Sequence, residues 1–494
     1  MKKVQWVLHA HLPYVCHKDL SYCLEHDWFF EALTETYIPL IFMLQRLKKK
    51  KYRNVLTLSL SPTLIKMMEN SFLLEQYHSY LYEHMNIFYE YAEGFKGDKN
   101  KIRLVEHYID HYQSVCDYVS NMFPKGLIKD FADLSKEKVI SLITTSQSHA
   151  YLPLWHQDKQ LIQDQILYGC DEFEKALGVK PRGFWLPECG YVPNLEQYLK
   201  QRDIEYFFLE THGVLQASPQ PSEGAFYPLR CPNGIMAWGR DSKSTKWIWS
   251  ATQGYPGAFG YRDFYANMGM EEDTPLLRKY HKRRGVISHT GFKHRRVGYF
   301  DQKSLYDPFF GKKLAIYHAF DWVSRLKDRF SQVHECGLED PWITLCFDAE
   351  LFGHWWWEGM TFLEKTLDIL KDSRDIQILT PEVFLDGLVG DKSLGVFEAQ
   401  PSMSSWGKGG YHRMWLNPSN DWIFKNIRYL REKYEDFSGD DFERERCEDH
   451  FKNLLSSDWP FMISSGSSQQ YASQRVRYHM ESIANILSVP LELK

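Results

Sequence analysis

Two carboxylates stand where short apolar runs end. Glu188 closes the run Gly183–Leu186, inside Trp185-Leu-Pro-Glu-Cys-Gly-Tyr191. Asp348 closes Ile343–Phe347, inside Cys346-Phe-Asp-Ala-Glu-Leu-Phe-Gly-His-Trp-Trp-Trp-Glu-Gly359. Pro187 fixes its own φ and restricts Leu186, so Glu188 arrives on a stiff backbone. Two acids brought from different strands to one place suit glycosidic-bond chemistry. One attacks the anomeric carbon; the other protonates the leaving oxygen and later deprotonates the acceptor. Carboxyl groups about 5–5.5 Å apart mean retention, and about 6.5–9.5 Å mean inversion. The sequence leaves that spacing open. Each acid also has an ordinary reading, Glu188 as a helix N-terminal charge and Asp348 as a cap. Their joint placement at strand ends favours chemistry.

Three histidines keep the same company. His9 and His11 follow the run Val4–Leu8, and alternation along a strand points both to one side. His149 lies just after Val139–Thr144. A pair such as His9 and His11 is half of a metal site, but no further Cys/His/Asp set at ligand spacing goes with it. The expectation is therefore neutral, hydrogen-bonding imidazoles, with no metal and no cofactor.

Something must carry these groups to one rim. Apolar runs of three to six residues recur at Val4–Leu8, Val55–Leu60, Val139–Thr144, Gly183–Leu186, Tyr206–Leu209, Val286–Ser288, Ile343–Phe347 and Ile376–Leu379. Such runs suit short buried parallel strands. Helical patterns alternate with them, as at Leu161–Leu177, Leu195–Arg202 and Leu314–Leu326. Strand–helix alternation over this length predicts an α/β barrel, and the C-terminal strand ends of a barrel carry its chemistry. Residues 61–135 read as a mostly helical insertion, and residues 210–284 as loops over the cleft. The catalytic unit is expected to span 1–395. From 396 to 494 the spacing of Ile423, Ile427, Leu430 and Tyr434, and of Ala472, Val476, Met480, Ile483 and Leu487, predicts a helical domain.

Composition narrows the partners. The 494 residues carry a net charge of −5 without a basic stripe, which argues against nucleic acid. No apolar run is long enough for a membrane span, and the first residues lack the apolar core of a signal peptide. Nine cysteines without a CxxC pair fit reduced thiols, so a cytoplasmic protein is expected. Aromatic residues make up 16%, a surplus compatible with sugar-stacking platforms.

The motifs resemble those of glycoside hydrolase family 57, in particular its 1,4-α-glucan branching enzyme group. Leu8-His-Ala-His-Leu-Pro-Tyr-Val15, Gln147-Ser-His-Ala-Tyr-Leu-Pro-Leu154, the Glu188 segment and the Asp348 segment are similar to the first four motifs of that family. Ala237-Trp-Gly-Arg-Asp241, Gly254-Tyr-Pro-Gly257 and Tyr261-Arg-Asp-Phe-Tyr265 resemble the branching group. So do Ser404-Ser-Trp-Gly-Lys-Gly-Gly-Tyr-His412, Trp415-Leu-Asn417, Asn420-Asp-Trp422 and Ser457-Asp-Trp-Pro-Phe461 in the tail. The resemblance implies an incomplete (β/α)7 barrel with a helical insertion and a C-terminal α-helical domain. It implies Glu188 as nucleophile and Asp348 as general acid/base. His9, His11 and His149 would bind the sugar, and Trp28, Trp406 and Trp415 would stack on it. Arg240, His354 and Trp355 join the substrate-binding set. The implied reaction is double displacement on α-1,4-glucan (amylose, glycogen) that forms α-1,6 branches. A 4-α-glucanotransferase or α-amylase shares the same acids, and a non-catalytic glucan-binding protein is the alternative from another class.

Overall fold

The computed structural model describes residues 1–16, 24–122, 126–250, 252–284, 289–298, 304–388 and 396–491. Ten strands are present among them: β1 Lys2–Ala10, β2 Thr57–Leu60, β3 Ser141–Thr145, β4 Gly183–Trp185, β5 Tyr206–Leu209, β6 Leu229–Arg230, β7 Met236–Gly239, β8 Trp342–Asp348, β9 Ile376–Ile378 and β10 Phe397–Glu398. Seven of them run parallel in the order β7-β5-β4-β3-β2-β1-β8. The two ends of that series meet at one parallel bridge, Arg240 to Thr344, where the Asp241 amide donates to the Thr344 carbonyl at 2.8 Å. Antiparallel β6 occupies the edge of β7 at Met236 and Ala237. The ring is thus a seven-stranded barrel joined along one side by a single bridge.

Pleating decides what fills it. Successive side chains of a strand point to opposite faces. Val7, Ile143, Trp185, Tyr206, Phe208, Met236, Trp238, Trp342 and Cys346 form one buried cluster inside the ring. The outward residues of the same strands, such as Trp6 and Leu8 on β1, pack on the surrounding helices. Large aromatics at the lower levels make the barrel a packed core and leave only its upper rim open for chemistry.

The strand expected at Val286–Ser288 lies outside the described residues. The reading of residues 210–284 as loops needs correction. They contain β7, the sixth barrel strand in chain order, and a helix Ser242–Trp249 capped by Asp241, whose carboxylate accepts from the Ser244 amide. Met236-Ala-Trp-Gly239 is short and has no β-branched residue, so it carries little strand signal. Between β2 and β3 the chain is helical over Pro62–Met68, Ser71–Gly94, Lys99–Met122 and Leu127–Lys136. The tail adds helices Asp421–Glu435, Asp441–Leu454, Asp458–Ser465 and Gln469–Leu487. Ile423, Ile427, Leu430, Ala472, Val476, Met480 and Ile483 are buried in one cluster with barrel residues Phe184, Phe207 and Leu209. The tail packs on the outside of β4 and β5.

A buried ion network ties the later loops to the first helices. Arg262 donates to both carboxylate oxygens of Glu35 at 2.9 and 3.1 Å and to the His354 carbonyl at 3.2 Å. Its guanidinium lies 4.3 Å from the Trp357 ring. Lys293 Nζ is 3.8 Å from both Glu31 and Glu35. Gly353, at φ +135°, lets the chain pass where a Cβ would sit 1.9 Å from the Glu35 carbonyl oxygen. Arg262→Met leaves the Glu35 carboxylate buried without its main partner. It is expected to cost about 3–5 kcal/mol, read as a fall in the denaturant midpoint. An unchanged midpoint would remove the network from the list of what holds these loops.

Candidate active site

The rim layer follows from strand parity. On β1 the inward series Gln5, Val7 continues to His9. On β8 the series Trp342, Thr344, Cys346 continues to Asp348. The two strands are in parallel register, with His9 opposite Asp348. The His9 ring stacks on Trp185 at 4.8 Å and 13°. Trp185 ends β4, and Glu188 follows it in a tight turn. Both acids therefore border His9, Asp348 across the ladder and Glu188 three residues beyond Trp185.

The backbone bends sharply to present these groups. Glu188 has φ +63°, Cys189 φ +50° and His149 φ +56°, all in the left-handed region. A non-glycine residue there costs about 1 kcal/mol or more, and such positions gather at functional sites.

The two carboxylates are treated differently by their surroundings. Glu188 Oε2 accepts from the Trp406 indole N–H at 2.8 Å, and Oε1 accepts from the Ser457 hydroxyl at 2.9 Å. Burial raises its pKa, and the charges of Asp458 and Asp348 add to the rise. The two donors pull back, leaving it at about 7. Asp348 has no hydrogen-bond donor on its carboxylate among the described residues. Burial, then the neighbouring Glu350 carboxylate, hold its pKa well above the usual range, against the pull of Arg240. Donors favour the ionised form of Glu188, while Asp348 is left to keep its proton. The two acids therefore differ, Glu188 carrying donors that favour its charge and Asp348 none among the described residues.

The histidines form a stack. The ring centres of His11 and His149 are 3.7 Å apart, and those of His9 and His149 5.0 Å. His9 Nε2 meets His149 Nε2 at 2.9 Å, and His9 Nδ1 meets the Ser59 hydroxyl at 3.1 Å. His11 bonds the Ser61 hydroxyl through Nδ1 at 2.9 Å and Asp458 Oδ2 through Nε2 at 3.0 Å. Burial, then the neighbouring imidazoles, hold His9 and His149 well below their usual pKa, so both rings are neutral. Burial pushes Asp458 up, but His11 and its hydrogen bond outweigh that and hold it at about 2. Asp458 also accepts from the Ser456 hydroxyl. Glu350, which accepts from the His11 amide at 3.3 Å and from the Tyr37 hydroxyl, completes the acidic side.

The remaining expected residues divide into groups. Trp406 is half-buried, stacks edge-on with Trp185 at 5.1 Å and lies 5.7 Å from the Arg240 guanidinium. Arg240 pairs with Glu210 at 3.3 Å and faces Asp348. Trp28 is half-buried with its ring edge-on to Tyr471 at 5.5 Å. Trp355 is 47% exposed and lies 4.4 Å from Phe264, beside Tyr265 at 82% exposure. The ring of His354 belongs to the buried ion network, with Nδ1 3.1 Å from Glu35, rather than to the carboxylate pair. Trp415 is not a sugar platform. It is 0% exposed, stacked on Tyr151 at 4.2 Å and crowded by Gly407, where a Cβ would come within 2.5 Å of its ring. Its faces are already taken by protein.

Among the described residues two groups have donor atoms close enough for a cation, His11–His149–Asp458 and Glu31–Glu35–His354. In the first, Asp458 is already bonded to His11, and both nitrogens of His149 are engaged. In the second, Arg262 and Lys293 already balance the acids. Both arrangements are self-consistent as hydrogen-bonded clusters.

Ser457 and Asp458 lie in a tail segment quoted for its resemblance, but no role at the site was expected of them. Ser-Asp before an apolar segment reads as an ordinary helix start. Yet Ser457, itself in helical conformation at φ −64° and ψ −20°, makes no capping bond to its own helix, and its hydroxyl bonds Glu188 and His149 instead.

Trp406→Phe keeps a ring but removes the N–H donor to Glu188. Losing a hydrogen bond to a charged group costs about 1.5–3 kcal/mol. The expected outcome is a fall of roughly 10–100-fold in kcat/KM, checked by initial rates on amylose. Wild-type rates would mean the indole only packs.

Comparisons with known proteins place the chain among its relatives. Residues 438–489 match the model described as 1,4-alpha-glucan branching enzyme, C-terminal. The 1,4-alpha-glucan branching enzyme of Thermococcus kodakarensis is 28% identical over 510 residues, covering 96% of this chain and 71% of that protein. The crystal structure of the α-amylase AmyC from Thermotoga maritima superposes with a TM-score of 0.88 at 31% identity, covering 99% of this chain and 93% of that one. That of a branching enzyme from Pyrococcus horikoshii gives 0.84 at 25% identity, covering 99% and 95%. Residues 6–395, most of the chain and both carboxylates included, match the model of glycosyl hydrolase family 57, and the chain belongs to that family.

Proposed function

We propose that this protein is a 1,4-α-glucan branching enzyme working by retaining double displacement. Asp348 gives its proton to the glycosidic oxygen as a Glu188 oxygen bonds to the anomeric carbon. The bond to the departing glucan breaks, and the donor chain stays esterified to Glu188. An acceptor then enters. Its 6-hydroxyl loses a proton to Asp348, O6 bonds to the anomeric carbon, and the Glu188 carboxylate is released. His9, His11 and His149 wall the sugar between the acids with their rings, since their nitrogens are bonded to protein. Trp406, Trp28 and the exposed Trp355 serve as stacking platforms, with Arg240 beside the acid/base. Residues 1–395 are proposed as the catalytic unit and 396–494 as a helical domain that completes it.

The observation that carries this reading is the part played by the tail. The tail that contains the branching-enzyme C-terminal match also sends Trp406, Ser457 and Asp458 into the carboxylate site. Positioning an acceptor in place of water is what transfer needs beyond hydrolysis. The likeness to the Thermotoga maritima α-amylase favours a second reading, hydrolysis. No helix among the described residues is long and apolar enough to cross a membrane, and a cytoplasmic setting with glycogen as product fits. Amylose is incubated with the protein and its products are measured by proton NMR and reducing-end assay. Branching predicts new α-1,6 signals in excess of new reducing ends. Reducing ends without α-1,6 signals would mean hydrolysis, redistributed linear chains disproportionation, and unchanged amylose a binding protein.

A further inference from the structure

Four hydrogen bonds run without a break from the barrel wall to Glu188. Ser59 on β2 meets His9 Nδ1 at 3.1 Å. His9 Nε2 meets His149 Nε2 at 2.9 Å. His149 Nδ1 meets Ser457 Oγ at 2.8 Å, and Ser457 Oγ donates to Glu188 Oε1 at 2.9 Å. The links come from four separate parts of the chain, and the last is supplied by the tail.

We propose that Ser457 is a positioning residue that ends a one-way hydrogen-bond relay, Ser59→His9→His149→Ser457→Glu188, which aims Glu188 and keeps it anionic. The proposal rests on Glu188 being the nucleophile. Its direction follows from proton counting. A hydroxyl has one proton, and Ser457 gives it to the carboxylate, so it must accept from His149 Nδ1–H. A neutral imidazole carries one N–H, so His149 Nε2 is bare and accepts from His9 Nε2–H. His9 Nδ1 is then bare and accepts from the Ser59 hydroxyl. Reversing the chain requires a proton on Glu188 or a Ser457 hydroxyl turned away from it. The tautomers of two buried histidines are therefore tied to the charge on the nucleophile.

Two further observations support this. Ser457 precedes Asp458–Ser465 in helical conformation, φ −64° and ψ −20°, and makes no cap bond, so no amide of its own helix competes for its hydroxyl. The histidines at the centre of the relay are buried, so the chain is shielded from competing water. Other charged and titratable groups face it too. Asp348, Asp458, Tyr151 and Cys189 face Glu188; His11 and Asp458 face His149; His11 faces His9. Both aspartates oppose charge on Glu188, and the donors of Ser457 and Trp406 counter them.

The test is the pH dependence of kcat/KM, whose acid limb reports the nucleophile of the free enzyme. In Ser457→Ala the acid limb should move up by about one pH unit, the value of one lost charge-assisted bond. kcat should fall about tenfold, with KM changed less than about twofold. Ser457→Thr, which keeps the hydroxyl, should restore both. Ser59→Ala should move the limb the same way by less. The unmodified protein gives an independent readout. Nitrogen NMR of labelled histidine should find His149 protonated on Nδ1 and His9 on Nε2 where the enzyme is active. An acid limb of folded Ser457→Ala that overlays wild type, or His149 protonated on Nε2, overturns the relay. Turnover retained in Glu188→Ala overturns the nucleophile assignment beneath it. A dead Glu188→Ala with an unmoved limb in Ser457→Ala overturns the relay alone.

Discussion

Glu188→Ala is expected to lower turnover on amylose by about 10⁴-fold or more, because it removes the group proposed to form the covalent link. Stability should change little or rise, since a partly exposed carboxylate that burial disfavours is lost. The shortened side chain leaves a space beside Trp406 and Ser457. A small external anion such as azide fits there and attacks the anomeric carbon from the same face. Azide should thus rescue part of the rate and give a glycosyl azide of inverted configuration. Rescue with retained configuration would assign Glu188 the other role. Turnover close to wild type would remove it from the chemistry.

Asp348→Ala tests the proton. Loss of general acid–base help costs about 10²–10⁴-fold. The loss should depend on the leaving group. With α-glucosyl fluoride, which departs without a proton, the first step should recover most of its rate. The second still needs a base, so the glycosyl-enzyme should build up and be seen by mass spectrometry on the peptide that contains Glu188. The pH dependence has a definite sign. A carboxyl group with a raised pKa stays protonated through the range where an ordinary one is ionised, so wild-type activity should fall on the alkaline side as Asp348 loses its proton. That limb should vanish in Asp348→Ala on the fluoride. Because the two acids feel each other, the midpoints belong to the pair. Equal losses on amylose and on the fluoride would sink the acid role.

The sequence carried most of this site because strand ends are legible. An apolar run closed by one polar residue fixes both an element and a direction. That is how His9 and Asp348 were placed on the rim before their ladder was visible. The same logic fails for short strands. Met236–Gly239 is four residues long and has no β-branched residue, so the sixth barrel strand was read as loop. Aromatic residues are the weakest signal, since one side chain serves a core or a sugar equally well. Trp406 keeps an open edge and an N–H for Glu188, while Trp415, nine residues on, is sealed between Tyr151 and Gly407. Ser457 and Asp458 stood inside a recognisable segment, but their part in the site could not be read. Their meaning lies in contacts with His149, Glu188 and His11, which are hundreds of residues earlier.

The dependence of Glu188 on Trp406 and Ser457 also bears on biosynthesis. A nascent chain that has left the ribosome only as far as β8 already holds both carboxylates, but neither donor to Glu188 has been translated. Catalytic competence should arrive late, when the last helices dock, so a half-made enzyme would be unable to cut an α-glucan before it can complete the proposed transfer.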